Sequence, residues 1–147
     1  MEERLNVTKI ILGILIALTV WDVLTTYYGT LSAFAGFDNN IMQNLGRANG
    51  AQHITSLLFA VAVVTLIICY RHILKFRNWF TRFILYAAFF IDFVTSFYGT
   101  ASATISVSTG VEGLQWVIVT ILAIITTAAP IFLHQVMEST GTQSDFH

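Results

Sequence analysis

The sequence has few charged residues. Only 10% of its 147 residues are Asp, Glu, Lys or Arg, whereas about 25% is usual in soluble domains. Hydrophobic residues make up 56% of the chain, and its mean hydropathy is +0.74. A surface in contact with water would need more charge than this chain supplies. The composition therefore predicts an integral membrane protein.

Several functional classes lack the residues that they require. Cys69 is the single cysteine, which excludes an internal disulfide and any site built from several cysteines. The net charge of −1 offers no basic surface for nucleic acid, so no nucleic-acid partner is expected. The sequence contains no glycine-rich phosphate loop, serine nucleophile elbow or metalloprotease helix pattern. It therefore gives little support to an enzyme and predicts no cofactor.

Long apolar segments alternate with short polar interruptions. Each is long enough to cross a hydrocarbon core of roughly 30 Å, and they cover about residues 7–35, 51–70, 79–105 and 114–133. We expect a short helical turn near residues 41–45 in the first polar loop. Because Asp22 interrupts the first segment and no basic cluster precedes it, we expect a retained span rather than a cleaved signal peptide. The predicted fold is a single all-α transmembrane domain of four helices, followed by a polar tail at 138–147.

The basic residues are unevenly distributed between the interruptions. Only Arg47 lies in the loop after the first segment. The other six lie near the amino terminus or around the middle loop: Arg4, Lys9, Arg71, Lys75, Arg77 and Arg82. Basic residues favour the cytoplasmic side of a membrane. This pattern predicts a multi-pass protein of the cell membrane with both termini in the cytoplasm.

One stretch of the sequence occurs twice. Residues 21–33 match residues 91–103 at seven of thirteen positions, including both acids. The second and fourth segments match more weakly, through Gln52 with Gln115 and Ala60 with Ala123. The pattern predicts a tandem duplication of a two-helix hairpin, with repeat 1 at about 7–70 and repeat 2 at about 79–134. Two such repeats share one orientation and are related by a pseudo-two-fold axis along the membrane normal.

Each copy of the repeated stretch places polar and small residues on one helix face, since residues three, four and seven apart lie together. The candidate site residues on these faces are Asp22, Thr25, Thr26 and Gly29 in the first copy, and Asp92, Thr95, Ser96 and Gly99 in the second. A charged side chain at the bilayer centre costs about 2.5–3.5 kcal/mol. No Lys or Arg lies near the middle of a segment to pair with either acid. We therefore expect both faces to avoid lipid.

Two functions are compatible with these faces. Asp22 and Asp92 could be protonated, line water, or bind a cation together with hydroxyl and carbonyl oxygens. This chemistry favours a small oligomeric channel or transporter in which the two acids bind or relay a proton or small cation. The alternative is a non-catalytic subunit of a larger membrane complex, because small residues and hydroxyls also pack helices together. The expected partners are the lipid bilayer and either further copies of the chain or other membrane subunits.

Two further features give weaker hypotheses. His53 could meet Asp38 or Glu112 in a metal site, but a single histidine without a spaced partner is more typical of an interfacial residue. Pro130 removes a backbone donor from the fourth segment, and we expect it to kink the helix. The hydroxyls of Thr126, four residues earlier, and Thr127 are available to satisfy freed backbone groups.

Overall fold

A computed structural model describes residues 2–36, 41–75, 78–104 and 112–144. These residues form helices α1 (Glu2–Ala35), α2 (Ile41–Arg47), α3 (Gly50–Ile68), α4 (Tyr70–Lys75), α5 (Trp79–Thr104) and α6 (Glu112–Ser144). The described ranges contain no strand. Helices α1, α3, α5 and α6 are each long and apolar enough to cross a membrane. The prediction of an all-helical protein with four such segments is confirmed.

The helix boundaries refine the expected segments. Helix α2 confirms the helical turn expected near residues 41–45. The second segment is divided, because α3 ends at Ile68 and the chain turns at Cys69 before α4. Helix α6 continues to Ser144, well into the polar tail. Polar residues end a membrane-spanning segment without ending a helix, since the backbone hydrogen bonds of a helix do not depend on side-chain polarity.

A capping box fixes the start of α3. The Asn49 side chain accepts a hydrogen bond from the Gln52 backbone N–H at 2.9 Å, and the Gln52 side chain accepts one from the Asn49 backbone N–H at 2.8 Å. The Gln52 amide also donates to the Phe34 carbonyl at 3.3 Å. The first turn of α3 is therefore closed by its own residues and attached to the end of α1.

The four long helices form two antiparallel pairs. In the first pair, Tyr27 of α1 contacts His53 of α3, with ring centroids 6.3 Å apart. In the second pair, Phe97 of α5 contacts Trp116 of α6, with ring centroids 5.9 Å apart. Helices α1 and α5 run in the same direction and lie against each other at the centre. The bundle thus has an α2 end, where these ring pairs lie, and an α4 end opposite.

Polar contacts join the helices at the α4 end. Arg71 of α4 forms an ion pair with Glu138 of α6. The Tyr70 hydroxyl accepts hydrogen bonds from the Gln135 amide at 3.2 Å and from the Arg71 guanidinium at 3.1 Å. These two hydrogen bonds lower the pKa of Tyr70 below its usual value. The short helix α4 is therefore held against the later part of α6.

Helices α3 and α6 bury matching positions. Helix α3 buries Ser56, Ala60, Val63, Val64 and Ile67. Helix α6 buries the residue that corresponds to each of these five, always at the same sequence separation: Val119, Ala123, Thr126, Thr127 and Pro130. It also buries Ala129. The weak match of Ala60 with Ala123 seen in the sequence thus extends to which residues face the interior. The two helices present corresponding faces to the α1–α5 pair.

Helix α6 continues through Pro130. Proline has no N–H, so the carbonyl of Thr126 loses its usual helical donor. The sequence suggested that the Thr126 hydroxyl could satisfy such a freed group, and for Thr126 this expectation is wrong. It donates instead to the carbonyls of Leu122 at 2.9 Å and Ala123 at 3.1 Å, one turn earlier. A threonine hydroxyl in a helix reaches backward along the chain, which is why it bonds these carbonyls and not its own.

The capping box gives a prediction for stability. We expect Asn49→Ala to lower the free energy of unfolding by about 1 kcal/mol, because the first turn of α3 loses its side-chain acceptor. Asn49→Asp keeps an acceptor at the same position and should unfold like the wild type. Thermal unfolding followed by circular dichroism in detergent measures both variants. Equal unfolding temperatures for the Ala and Asp variants would show that the cap does not stabilise the helix.

Candidate functional site

Asp22 and Asp92 meet where α1 and α5 are in contact. Both side chains are 0% exposed. The Ser96 hydroxyl of α5 donates to Asp22 Oδ1 at 2.8 Å, and the Thr26 hydroxyl of α1 donates to Asp92 Oδ1 at 2.8 Å. Asp22 is thus bound by Ser96, which lies four residues after Asp92, and Asp92 is bound by Thr26, which lies four residues after Asp22. The Ser96 and Thr26 hydroxyls lie 3.0 Å apart, which brings the two carboxyl groups into one network.

Two glycines allow the helices to approach this closely. A Cβ atom on Gly29 would lie 2.9 Å from the Cα of Thr95, and one on Gly99 would lie 2.9 Å from the Cα of Thr25. Both would be nearer still to the carbonyl groups of those threonines. A side chain at either position would therefore collide with backbone that cannot turn aside. The reciprocal contact brings the short hydroxyl side chains within reach of the opposite acid.

A small hydroxyl network surrounds the acids. The Thr25 hydroxyl lies 3.0 Å from the Ser96 hydroxyl and donates to it. Ser96 in turn donates to Asp22, and Thr26 lies 3.0 Å from Ser96. Ser96 is consequently the centre of the network, in contact with two hydroxyls and one carboxyl group of α1.

Thr95 differs from the other candidate residues. Its hydroxyl donates only within its own helix, to the carbonyls of Ile91 at 2.8 Å and Asp92 at 3.1 Å. Its contribution to the contact is its backbone, which faces Gly29. The remaining residues that the sequence indicated lie together in the structure, through side-chain contacts or close backbone contacts: Asp22, Thr25, Thr26, Gly29, Asp92, Ser96 and Gly99.

The hydrogen atoms available to the acids can be counted. A hydroxyl group has one hydrogen to donate, and those of Ser96 and Thr26 go to the Oδ1 atoms of Asp22 and Asp92. The Oδ2 atom of each acid is buried and has no partner in hydrogen-bond geometry. Leaving a buried acceptor unpaired costs about 1–3 kcal/mol. A single proton on one Oδ2, donated to the other, would satisfy both atoms.

The two acids have different third neighbours. The buried Thr127 hydroxyl of α6 faces Asp92. The corresponding position of α3 is Val64, which is also buried but apolar. A pair of acids with identical side chains is therefore placed in unequal surroundings, with more polar groups near Asp92.

The site offers few oxygen ligands for a metal ion. Within the described ranges, no group of three or more His, Cys, Asp or Glu side chains could hold one. The buried oxygens without hydrogen-bond partners around the pair are Asp22 Oδ2, Asp92 Oδ2 and Thr127 Oγ1. A cation such as calcium takes roughly six to eight oxygens, whereas a shared proton needs only two.

His53 has a partner that sequence reasoning missed. Its Nδ1 lies 2.7 Å from the Tyr27 hydroxyl of α1. Of the partners considered for a metal site, Asp38 and the side chain of Glu112 lie outside the described residues. The available signal was the repeat itself, because aligning the two halves places Tyr27 and His53 opposite Phe97 and Trp116. Those two aromatic residues also stack on each other.

No family model, curated protein or solved structure matches this chain. What the protein does must therefore be inferred from the acids and the contacts around them.

The close approach of α1 and α5 gives a second prediction for stability. We expect Gly29→Ala to destabilise the protein by about 1–3 kcal/mol, because the added methyl group overpacks the contact with the Thr95 backbone. Gly13→Ala is the matched control, since a Cβ at Gly13 in the same helix meets nothing within 4 Å. Thermal unfolding monitored by size-exclusion chromatography in detergent compares the two. A Gly29→Ala protein as stable as the Gly13→Ala protein would contradict the geometry.

Proposed function

We propose that this small polytopic membrane protein is an oligomeric channel or transporter that binds and relays a proton at the Asp22–Asp92 pair. One observation carries the proposal: two fully buried acids lie in one hydroxyl network, and each keeps one oxygen without a partner in hydrogen-bond geometry. No Lys, Arg or His side chain forms an ion pair with either acid in the described ranges. A proton is the simplest species that removes the charge and pairs both oxygens at once.

The choice of acids at these positions supports a role beyond packing. Asparagine at positions 22 and 92 could accept the hydroxyl groups of Ser96 and Thr26 equally well, without the cost of a charge in the bilayer. Ionisable side chains inside membranes are expensive and are commonly found along ion and proton pathways. Two aspartates facing each other are therefore better explained by titration than by helix adhesion.

The close packing of the centre limits what could be transported. The backbones of α1 and α5 touch at Gly29 and Gly99, directly beyond the acids. A hydrated solute would have to separate these helices. A proton needs no such space, and any wider passage would have to form between copies of the chain. These considerations favour a proton over a larger ion and an oligomer over a monomer.

The same proposal includes a tandem duplication with repeats at about 7–70 and 79–134. It is supported by the reciprocal glycine contacts, the paired ring contacts at matching positions, and the matching buried faces of α3 and α6. A pseudo-two-fold axis would then pass between Asp22 and Asp92. The distribution of basic residues supports a cell-membrane location with both termini and the α4 end in the cytoplasm.

Proton movement in liposomes tests this function. We expect purified protein, reconstituted with an internal pH-sensitive dye, to carry protons when a potassium gradient and valinomycin impose a membrane potential. The double variant Asp22→Asn/Asp92→Asn should lose this flux, because neither side chain can then release a proton.

The matched control is Glu138→Gln, which removes a carboxylate at the α4 end, far from the pair along α6. It should conduct like the wild type. Flux that persists in the double variant at the level of the control would exclude a role of the pair in proton movement. Size-exclusion profiles of all variants establish that they are folded.

The second candidate is a non-catalytic subunit of a larger membrane complex. The observation that favours it is the hydroxyl network between α1 and α5, which has the composition of a helix-packing contact. This candidate predicts that the isolated protein moves no protons and purifies from its native membrane in fixed stoichiometry with other subunits. The Asp22→Asn/Asp92→Asn variant would then reduce the yield of the complex and leave no flux to change.

A further inference from the structure

The buried polar side chains lie mostly on one side of the acid pair. In the described part of the chain, those that lie between the acids and the α2 end are Thr25, Thr26, Thr30, Ser32, Asn44, Ser56, Ser96 and Thr100. The fully or nearly fully buried residues between the acids and the α4 end are apolar: Ile67, Leu85, Ala88, Ala129 and Pro130. Apolar residues such as Leu31, Ala60 and Val119 are buried among these polar side chains, so the interior is mixed toward the α2 end and apolar toward the α4 end, with Thr126 and Thr127 near the level of the acids.

The depth of these residues follows from the helix directions. A helix rises about 1.5 Å per residue, so Thr30 lies about 12 Å beyond Asp22 toward the α2 end. Helix α3 runs the opposite way, and its first turn is attached to the end of α1 through Gln52 and Phe34. Ser56, one turn further along α3, therefore lies between that end and the acids. Ile67, three turns further, lies beyond the acids on the α4 side.

We propose that, in this conformation, the acid pair exchanges its proton with the α2 end and not with the α4 end. The route is the hydroxyl row, defined as Thr26, Thr30 and Ser32 of α1, Ser56 of α3, and Ser96 and Thr100 of α5. The opposite side is closed by the apolar layer, defined as Ile67, Leu85, Ala88 and Pro130. This inference rests on the proposed function, since it assigns a direction to proton exchange at the same pair.

Hydroxyl groups can pass a proton because each both accepts and donates a hydrogen bond. When a proton leaves a carboxyl Oδ2 for a hydroxyl oxygen, that hydroxyl releases its own hydrogen to the next acceptor. The carboxyl becomes a carboxylate, each hydroxyl is restored, and one proton reaches the end of the row. Alkyl side chains have no such hydrogen or lone pair, so the apolar layer cannot take part.

Ser56 is the part of the row that packing does not explain. Its side chain is 0% exposed, and its Oγ has no partner in hydrogen-bond geometry. The corresponding residue of α6 is Val119, which is also buried. A valine therefore fits this environment in one hairpin, and the serine places an unpaired hydroxyl in the interior of the other.

The row ends in polar contacts at the α2 end. The Asn44 amide of α2 donates to the Ser32 hydroxyl at 3.1 Å, and the Tyr27 hydroxyl lies 2.7 Å from His53 Nδ1. His53 is half-buried at this end. The corresponding pair in the other hairpin is formed by Phe97 and Trp116, which stack on each other and make no such polar contact.

On the α4 side the first hydroxyl after Asp22 is Thr19, which is half-buried and donates to the Leu15 carbonyl at 2.8 Å. Thr30, on the other side, makes the same type of bond to the Thr26 carbonyl at 2.7 Å. Replacing either threonine with valine removes one hydroxyl and one bond to the preceding turn of α1. Thr19→Val and Thr30→Val are therefore matched variants on opposite sides of the acid.

The experiment measures how quickly the carboxyl proton of the pair is replaced by deuterium. Infrared spectra of proteoliposomes moved into D₂O report this exchange as a shift of the C=O stretch of a protonated carboxyl group, and the variant Asp22→Asn/Asp92→Asn identifies the band that belongs to the pair. We expect Thr30→Val to slow the exchange by about tenfold or more, the effect of roughly 1.4 kcal/mol on a barrier. Thr19→Val should leave the rate unchanged.

Ser56→Val is the second variant, chosen because valine already occupies the corresponding buried position of α6. It should also slow the exchange, whether or not Thr30→Val folds well. Exchange that is slowed by Thr19→Val, or that is equally fast in Ser56→Val, Thr30→Val and wild type, would overturn the one-sided route. If the band of the pair is present but its exchange rate is the same in Thr30→Val, Ser56→Val and wild type, the route is refuted and the proposed function is not. If no band is lost in the double asparagine variant, the pair holds no proton, and the proposed function fails together with the route.

Discussion

The close contact between α1 and α5 is the constraint on which the rest of the structure depends. Gly29 and Gly99 bring the two backbones together, each against a threonine of the other helix. At this separation, side chains as short as Ser96 and Thr26 span the gap and reach the opposite acid. Longer spacing would leave two carboxyl groups buried without donors. The glycines thus determine the chemistry of the site through the distance that they permit.

The fold and the position of the acids could be predicted from the sequence to a considerable extent. Charge scarcity and apolar length were sufficient for four membrane-spanning helices, and the repeated stretch identified Asp22 and Asp92 together with their hydroxyl neighbours. The partner of each acid could not be predicted, because helical spacing shows which residues share a face and not which face they meet. The role of Thr95 through its backbone, and the bond between Tyr27 and His53, depend on that missing contact geometry.

The matching halves of the protein are equal in packing and unequal in polarity. Residues that face the interior of α3 and α6 correspond in position, but Ser56 corresponds to Val119, and Val64 corresponds to Thr127. A symmetric scaffold can give two carboxyl groups the same depth and the same mutual contact. Only residues that differ between the two hairpins can give them different neighbours, as Thr127 and Val64 do.

The burial of the acids is linked to the side of the bundle from which the proposed proton exchange takes place. An acid surrounded by hydroxyls on every side would exchange protons with both faces of the membrane, and it could not separate the two solutions. An acid enclosed only by alkyl groups would keep its proton indefinitely. Under the proposed route, the hydroxyls toward the α2 end would give the pair access from that side in this conformation. Net transport would then require a second conformation in which the pair is reached from the opposite side.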